Sequence, residues 1–282
     1  MFSRRDLPDD LASVRETHVP GALVLDCEAD FETLPPAQAE ELGLLVDSLD
    51  PVSYPEEWLP PDAPAQLRAY AGRDFTVGMP GDGGVTWTRQ TAPPTVLVKA
   101  RTEGSPGDFV DFLVGEALVE AGLGLPEHFL GFFEERYREF AAAVDPSGAS
   151  APADATASDA SSGRTAGLSP ADTYQLAVAL YDAYLGLHTR EAFRGWASDR
   201  PRLHAAWADA GQRLQPRLSG LSREVATDRT DFATAAELAC AGLKHDLDLP
   251  TPFGALDTEA YREYGADYAV TWARKTFEKL RE

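Results

Sequence analysis

Two bases and three neutral hydrogen-bonding side chains are the combination in this chain whose spacing best suggests a ligand. Lys99 and Arg101 stand two residues apart, and so do Thr86, Thr88 and Gln90 shortly before them. Residues two apart share one face of a strand. Paired strands carrying these five would set cations beside hydrogen-bonding side chains, which is how a small anion is held. A ligand site on Lys99, Arg101, Thr86, Thr88 and Gln90 is therefore expected. The competing role is structural: both bases pair with nearby acids, or sit at a sheet edge, where lysine discourages association.

Other groupings carry less. Carboxylate pairs such as Glu134–Glu135, or Asp246 with Asp248, recur throughout a chain with 46 Asp and Glu, so their presence alone marks nothing. A working acid–base pair needs a cleft that drives two pKa values apart. His245-Asp246-x-Asp248 and His188-x-x-Glu191 bring metal-ligand types together, but neither is H-E-x-x-H and neither has a third ligand at fixed spacing. No metal ligand and no cofactor are assigned. The glycine-rich stretch 78–84 is not a phosphate cradle, because a strand rather than a helix N-terminus follows it. No Gly-x-Ser-x-Gly elbow exists. Cys27 and Cys240 lie on apolar stripes and read as small buried hydrophobes. Tyr174, Tyr181 and Tyr184 read as core or interface aromatics. No catalytic residue is assigned, and the balance leans away from an enzyme.

The elements that would position the anion site lie at 74–101. Pro80-Gly81-Asp82-Gly83-Gly84 forms one turn and Pro93-Pro94 a second. Folding at both pairs Val77 with Trp87 and Val85 with Met79, then Trp87 with Val98 and Val85 with Ala100. Phe75, Val77, Met79, Val85, Trp87, Val96 and Val98 then share an apolar face. Thr76, Thr86, Thr88, Gln90, Thr95, Lys99 and Arg101 share a polar one. The expected fold is α+β and predominantly helical, with this three-stranded antiparallel meander packed on helices. Ahead of it, Leu11, Val14 and His18 mark a capped helix. Val24, Cys27, Phe31 and Leu34 fit a helical face better than a strand, and Leu42, Leu45, Val46 and Leu49 mark another helix before Pro51. Further helices are expected at about 108–121, 127–143, 170–187, 201–219, 231–245 and 258–280, the fourth-last capped by Ser169 with Pro170 behind it.

Residues 145–168 are rich in Ala, Ser and Asp and carry one large aliphatic side chain, so they are expected to be a disordered loop. It separates a helical lobe with the meander (1–144) from a helical lobe (169–282), the two packed as one globular unit. Ser3-Arg4-Arg5-Asp6-Leu7 begins like a twin-arginine export signal, but Pro8-Asp9-Asp10 replaces the apolar stretch such a signal needs. No apolar run reaches the roughly 18 residues that span a bilayer.

Net charge is -21 from 46 acids against 25 bases, and only four bases are lysine: Lys99, Lys244, Lys275 and Lys279. Self-repulsion of that size destabilises a compact state in dilute buffer. In molar salt the screening length falls to about 3 Å and the penalty disappears. Lysine's long apolar stem covers apolar surface, whereas arginine makes directional bidentate pairs. The acids are spread along the chain and form no block, and no basic stripe exists to bind nucleic acid. The composition points to a salt-rich, reducing cytoplasm, in which a Cys27–Cys240 disulfide has no support.

Two segments, Pro-Gly-Ala-Leu-Val-Leu-Asp-Cys-Glu-Ala-Asp-Phe at 20–31 and Phe-Thr-Val-Gly-Met-Pro-Gly-Asp-Gly-Gly-Val-Thr-Trp-Thr-Arg-Gln at 75–90, carry a likeness. Through them the chain resembles an uncharacterised family of haloarchaea. The resemblance implies a halophilic organism and a cytoplasmic compartment, and brings no activity or site residue. Three functions remain open. The first is a non-enzymatic protein acting through a protein partner or as a homo-oligomer, without nucleic acid or membrane. The second is a small-anion binding module on the meander. The third is a hydrolase-like enzyme using the scattered histidines and aspartates. Convergence of Lys99 with Arg101, or of His188 with His204 and His245, discriminates among them.

If the acidic coat is a response to salt, dialysis from molar potassium chloride into dilute buffer will unfold the protein. Loss of the helical circular dichroism signal is the expected outcome; an unchanged spectrum would assign the acids to a cationic target.

Overall fold

A mixed sheet lies at the centre of the chain's first half, where hydrophobic runs too short for helices meet. The computed structural model describes residues 2–31, 33–72, 74–78, 83–145 and 167–282. Strand β1 (Phe2–Arg4) leads into helix α1 (Asp9–His18) and strand β2 (Leu23–Cys27). Helix α2 (Pro36–Gly43), strand β3 (Ser48–Leu49) and helix α3 (Ala65–Ala71) follow. Then come β4 (Val85–Thr88), β5 (Thr91–Ala92) and β6 (Thr95–Val98). The rest is helical: α4 (Gly107–Gly122), α5 (Phe129–Phe133), α6 (Arg136–Val144), α7 (Pro170–Asp199), α8 (Pro201–Ala226), α9 (Phe232–Lys244) and α10 (Glu259–Arg281). The fold is α+β and mostly helical. No described helix is long and apolar enough to cross a membrane.

The sheet order is β1-β2-β6-β4, with β2 parallel to β6 and the other pairs antiparallel. This corrects the three-stranded meander. Only β4 and β6 of the expected hairpins pair directly; β5 leaves to join β3, and Thr76 makes one isolated bridge to Thr33. The far side of β6, an open edge in the expected meander, is taken by Leu23-Val24-Leu25, which was expected to be helical. The reason is burial on both faces. All four residues of β6 are buried, and such a strand needs a neighbour of the same character, which β2 supplies. The β4–β6 register is also shifted by two, with Val85 opposite Val98 and Trp87 opposite Val96. A shift of two preserves the face of every side chain, so the apolar face is assembled as expected.

That face carries Val24, Trp87, Val96 and Val98 and packs on α1 and α4 through Leu11, Val14, Phe112 and Val114. The other face is not solvated. Leu25, Cys27 and Leu97 stand on it, and Phe31, Leu34, Leu42, Val46, Phe75 and Val77 cover it. Consequently Thr86, Thr88, Gln90, Thr95 and Lys99 are all buried.

Helix α4 is buried almost all round, touching the sheet, α1, α7 and α8. Ser169 caps α7 as expected, its hydroxyl accepting from the Asp172 N–H at 3.1 Å, and Asp231 and Thr258 cap α9 and α10. Helix α7 runs twelve residues beyond the expected end at 187, because Thr189, Phe193 and Trp196 continue its buried stripe. Its first half packs against α9, α5 and α6, and its second half joins the cluster under the sheet. Helix α8 passes through Pro216 to Ala226 rather than ending near 219. The helix expected over 127–143 is two, broken at Glu134, where φ is 49°. The run expected over 42–49 ends at Gly43 and becomes β3. Residues 146–166 of the expected loop lie outside the described residues, whose ends meet where the Leu168 N–H donates to the Val144 carbonyl at 3.3 Å.

Arg202 fastens these layers. Its guanidinium grips Asp10 with two bonds (2.8 and 3.1 Å) and reaches Asp108 and Asp111, joining α8 to α1 and α4. Helix α4 also ends close against α1: a side chain at Gly122 would drive into the His18 carbonyl. Gly122→Ala is expected to destabilise the protein by about 2 kcal/mol. Gly195→Ala, on open α7 surface, should stabilise it by about 0.5 to 1 kcal/mol. Urea unfolding of both variants checks the contrast; equal effects would refute the contact.

Candidate functional site

Three helix stripes and one sheet edge surround a cavity of about 350 Å³. Leu113, Glu116, Ala117 and Glu120 form one face of α4; Val178, Ala179, Asp182 and Leu185 one face of α7; Glu237, Ala241 and Lys244 one face of α9. Spacings of three, four and seven put each set on a single helical side. The edge strand β4 closes the wall with Thr86 and Trp87, and Glu127 and Gly83 complete it. Five carboxylates and a single lysine thus face one space.

Lys244 holds the centre. Its ammonium lies 2.9 Å from Glu116 Oε1, tying α9 to α4, and both side chains are largely buried. Burial works against the lysine's charge, but Glu116, Asp182 and Glu120 more than offset it and hold its pKa above the ordinary lysine range. The acids outnumber that charge. Burial, and then the neighbouring Glu116, push Glu120 well above the usual carboxylate range, although the Trp87 indole donates to its Oε2 at 2.9 Å. Asp182 is pushed up by burial despite Lys244. Among the described residues, Asp182 makes no hydrogen bond and no ion pair.

Glu127 forms a second acidic station. Its side chain is 6% exposed. It accepts from the Arg89 N–H at 2.9 Å and from Gln90 Nε2 at 2.7 Å. Burial raises its pKa to about 7, against the pull of these donors and of Thr88. Next to it, His128 is held neutral, burial lowering it to about 4, and its Nδ1 lies 3.0 Å from the Tyr54 hydroxyl.

The five residues of the expected anion site separate. Thr86 lines this cleft. Thr88 and Gln90 come together, the Gln90 N–H donating to Thr88 Oγ1 at 3.1 Å, and both steady Glu127. Lys99 is buried with its ammonium 5.9 Å from the Phe31 ring. Arg101 pairs with Asp30, through its N–H at 2.9 Å and its Nε at 3.3 Å. The histidines split as well. His204 and His245 flank Trp207, whereas His188 packs on Tyr184. Asp246 goes to Arg190 and Arg194, and Glu191 to Arg194. Among the described residues no three His, Cys, Asp or Glu are grouped to hold a metal. Both cysteines are free and buried.

The cleft's own acids were not singled out from the sequence. A signal existed: Glu116 and Glu120 interrupt the apolar run 110–121 at helical spacing, and Asp182 interrupts another. In a chain so rich in acids, those interruptions looked like background.

The site and fold define an α+β protein with an acid-lined cleft between three helices and a sheet edge. The chain belongs to a family of unknown function (DUF7089), whose model matches residues 1–280. No curated protein and no solved structure matches it.

Glu127 gives the cleft a pH signature. A carboxyl raised from 4.5 to about 7 on folding favours the folded state fully below pH 4.5, and that contribution is lost as pH rises to about 7. The loss is about 3 kcal/mol. Relative to wild type, Glu127→Gln should therefore gain about that much stability between pH 4 and 8. A pH-independent difference in urea unfolding would show that Glu127 is not the titrating group.

Proposed function

We propose that the protein is a small-molecule binding module of a haloarchaeal, salt-rich cytoplasm, and that its cleft takes an organic cation bearing a primary amine. The supporting observation is the surplus of five carboxylates over Lys244 in one cavity, with Asp182 left unpaired. Buried acids in excess of counter-charge must either take up protons or bind a cation. An ammonium group satisfies them, and its three donors match carboxylates on α4 and α7.

The cavity's other lining explains why the cation is organic. Trp87, Leu113, Val178 and Leu185 offer an aromatic and three aliphatic surfaces. Hydrocarbon attached to an amine gains from burial there, and an indole face attracts cations. A hydrated potassium ion gains neither, so molar potassium chloride leaves room for selectivity. This ligand is opposite in sign to the anion expected at Lys99 and Arg101, whose charges are engaged by Phe31 and Asp30.

Thermal unfolding in molar potassium chloride tests the proposal. Primary amines at a hundred times their dissociation constant should add about 2.7 kcal/mol of stability, while phosphate and simple carboxylates add nothing. Affinity should rise with pH through 7 as the cleft acids lose their protons, and Asp182→Asn and Glu120→Gln should weaken it. Stabilisation by anions alone, or by no amine, would overturn it.

A further inference from the structure

A groove of about 680 Å³ runs along α8 where that helix passes the start of α4. Its floor is apolar: Pro106 and Phe109 come from the α4 side, and Ala205, Ala206, Ala210 and Leu214 from one face of α8. Phe109 is 37% exposed, so a phenyl ring stands partly in water beside small side chains. The rim is charged, and its two ends differ. At one end Arg202 serves three aspartates, of which Asp108 is the outermost, with its side chain 68% exposed. About four helical turns further along α8, Arg213 pairs with Asp209 of its own helix at 2.9 Å, both side chains exposed. Arg217, beyond it, is exposed and makes no ion pair among the described residues. The groove therefore has an acid-rich end and a basic end.

We propose that this groove is the contact face of a twofold homodimer, in which α8 packs antiparallel on α8 of a second copy. A twofold contact repeats every pairing with the roles exchanged, so its face must complement itself. An axis passing α8 between Asp209 and Ala210 brings Arg217 of each copy to the Asp108 end of the other, twice per dimer. The same register sets Leu214 on Ala205 and Arg213 on Ala206, so long side chains of one helix meet small ones of the other, and Phe109 gains from leaving water. Parallel helices would instead oppose Arg217 to its own copy. Salt favours this contact. Repulsion between two chains of net charge -21 acts over distances that molar salt screens, whereas an arginine–carboxylate pair in contact lies within the screening length of about 3 Å. The dimer does not depend on the amine cleft.

Sedimentation equilibrium of the full chain in molar potassium chloride, without amines and from about 1 to 100 μM, tests the proposal. Wild type should approach twice the 30.5 kDa of one chain. Ala210→Arg, at the centre of the face, should give a monomer. Arg217→Asp and Asp108→Arg should each weaken dimerisation about tenfold, because each reverses a charge in two symmetry-related pairs at once. Combined in one chain, the two reversals should restore the dimer, since the swapped ends again complement each other; a mere folding defect would not be repaired in this way. Circular dichroism checks that each variant keeps its helices. A wild-type monomer throughout this range, a dimer that tolerates Ala210→Arg, single reversals without effect, or reversals that the double variant does not repair would overturn the antiparallel α8 dimer.

Discussion

The ion pair between Lys244 and Glu116 is the contact on which the cleft depends. It joins the last turn of α9 to the middle of α4, and those helices form two of the cavity's walls. Taking both charges from water is costly unless the pair is close and well surrounded. Here further carboxylates supply that surrounding, and in doing so they exceed the lysine's single charge. Burial first, and then the neighbouring Glu116, raise the pKa values of Glu120 and Asp182.

The sheet contributes in a less direct way. Because both of its faces are covered, its polar side chains are used inside the protein. Gln90 and Thr88 turn toward Glu127 and set its position, and Gln90 also binds the Thr76 carbonyl at 2.8 Å. Arginine does the corresponding work outside. Arg202 gathers three aspartates from two helices, and Arg190 and Arg194 gather Asp246. The acidic surface is thus partly organised by a small number of multivalent guanidinium groups, a role for which lysine's point charge is less suited.

Much of the architecture was legible because it rests on local periodicity. The helices from α4 to α10 show apolar stripes, caps and breakers within a few residues of one another, and Ser169 before Pro170 marks its helix start unaided. The face of Trp87, Val96 and Val98 was legible for the same reason. The partner of β6 was not. Leu23-Val24-Leu25 is too short to distinguish strand from helix by period, and its pairing joins segments about seventy residues apart. The site was less legible still. Lys99 and Arg101 looked conspicuous because lysine is scarce, yet scarcity says nothing about which acid or ring a base will meet. Glu116, Glu120, Glu127 and Asp182 looked ordinary because acids are everywhere in this chain.

The sequence by itself determined the helix-rich composition, the acidic surface and the side of the sheet on which each β4 and β6 side chain lies, because these follow from period, capping and charge counted along the chain. Only the tertiary structure decided which carboxylates leave water. That choice depends on where α4, α7 and α9 cross, and the crossing is fixed by packing among residues distant in sequence. An identical glutamate is a solvated charge on one helix face and a high-pKa cavity wall on another, since its free energy is set by the dielectric and the counter-charges around it.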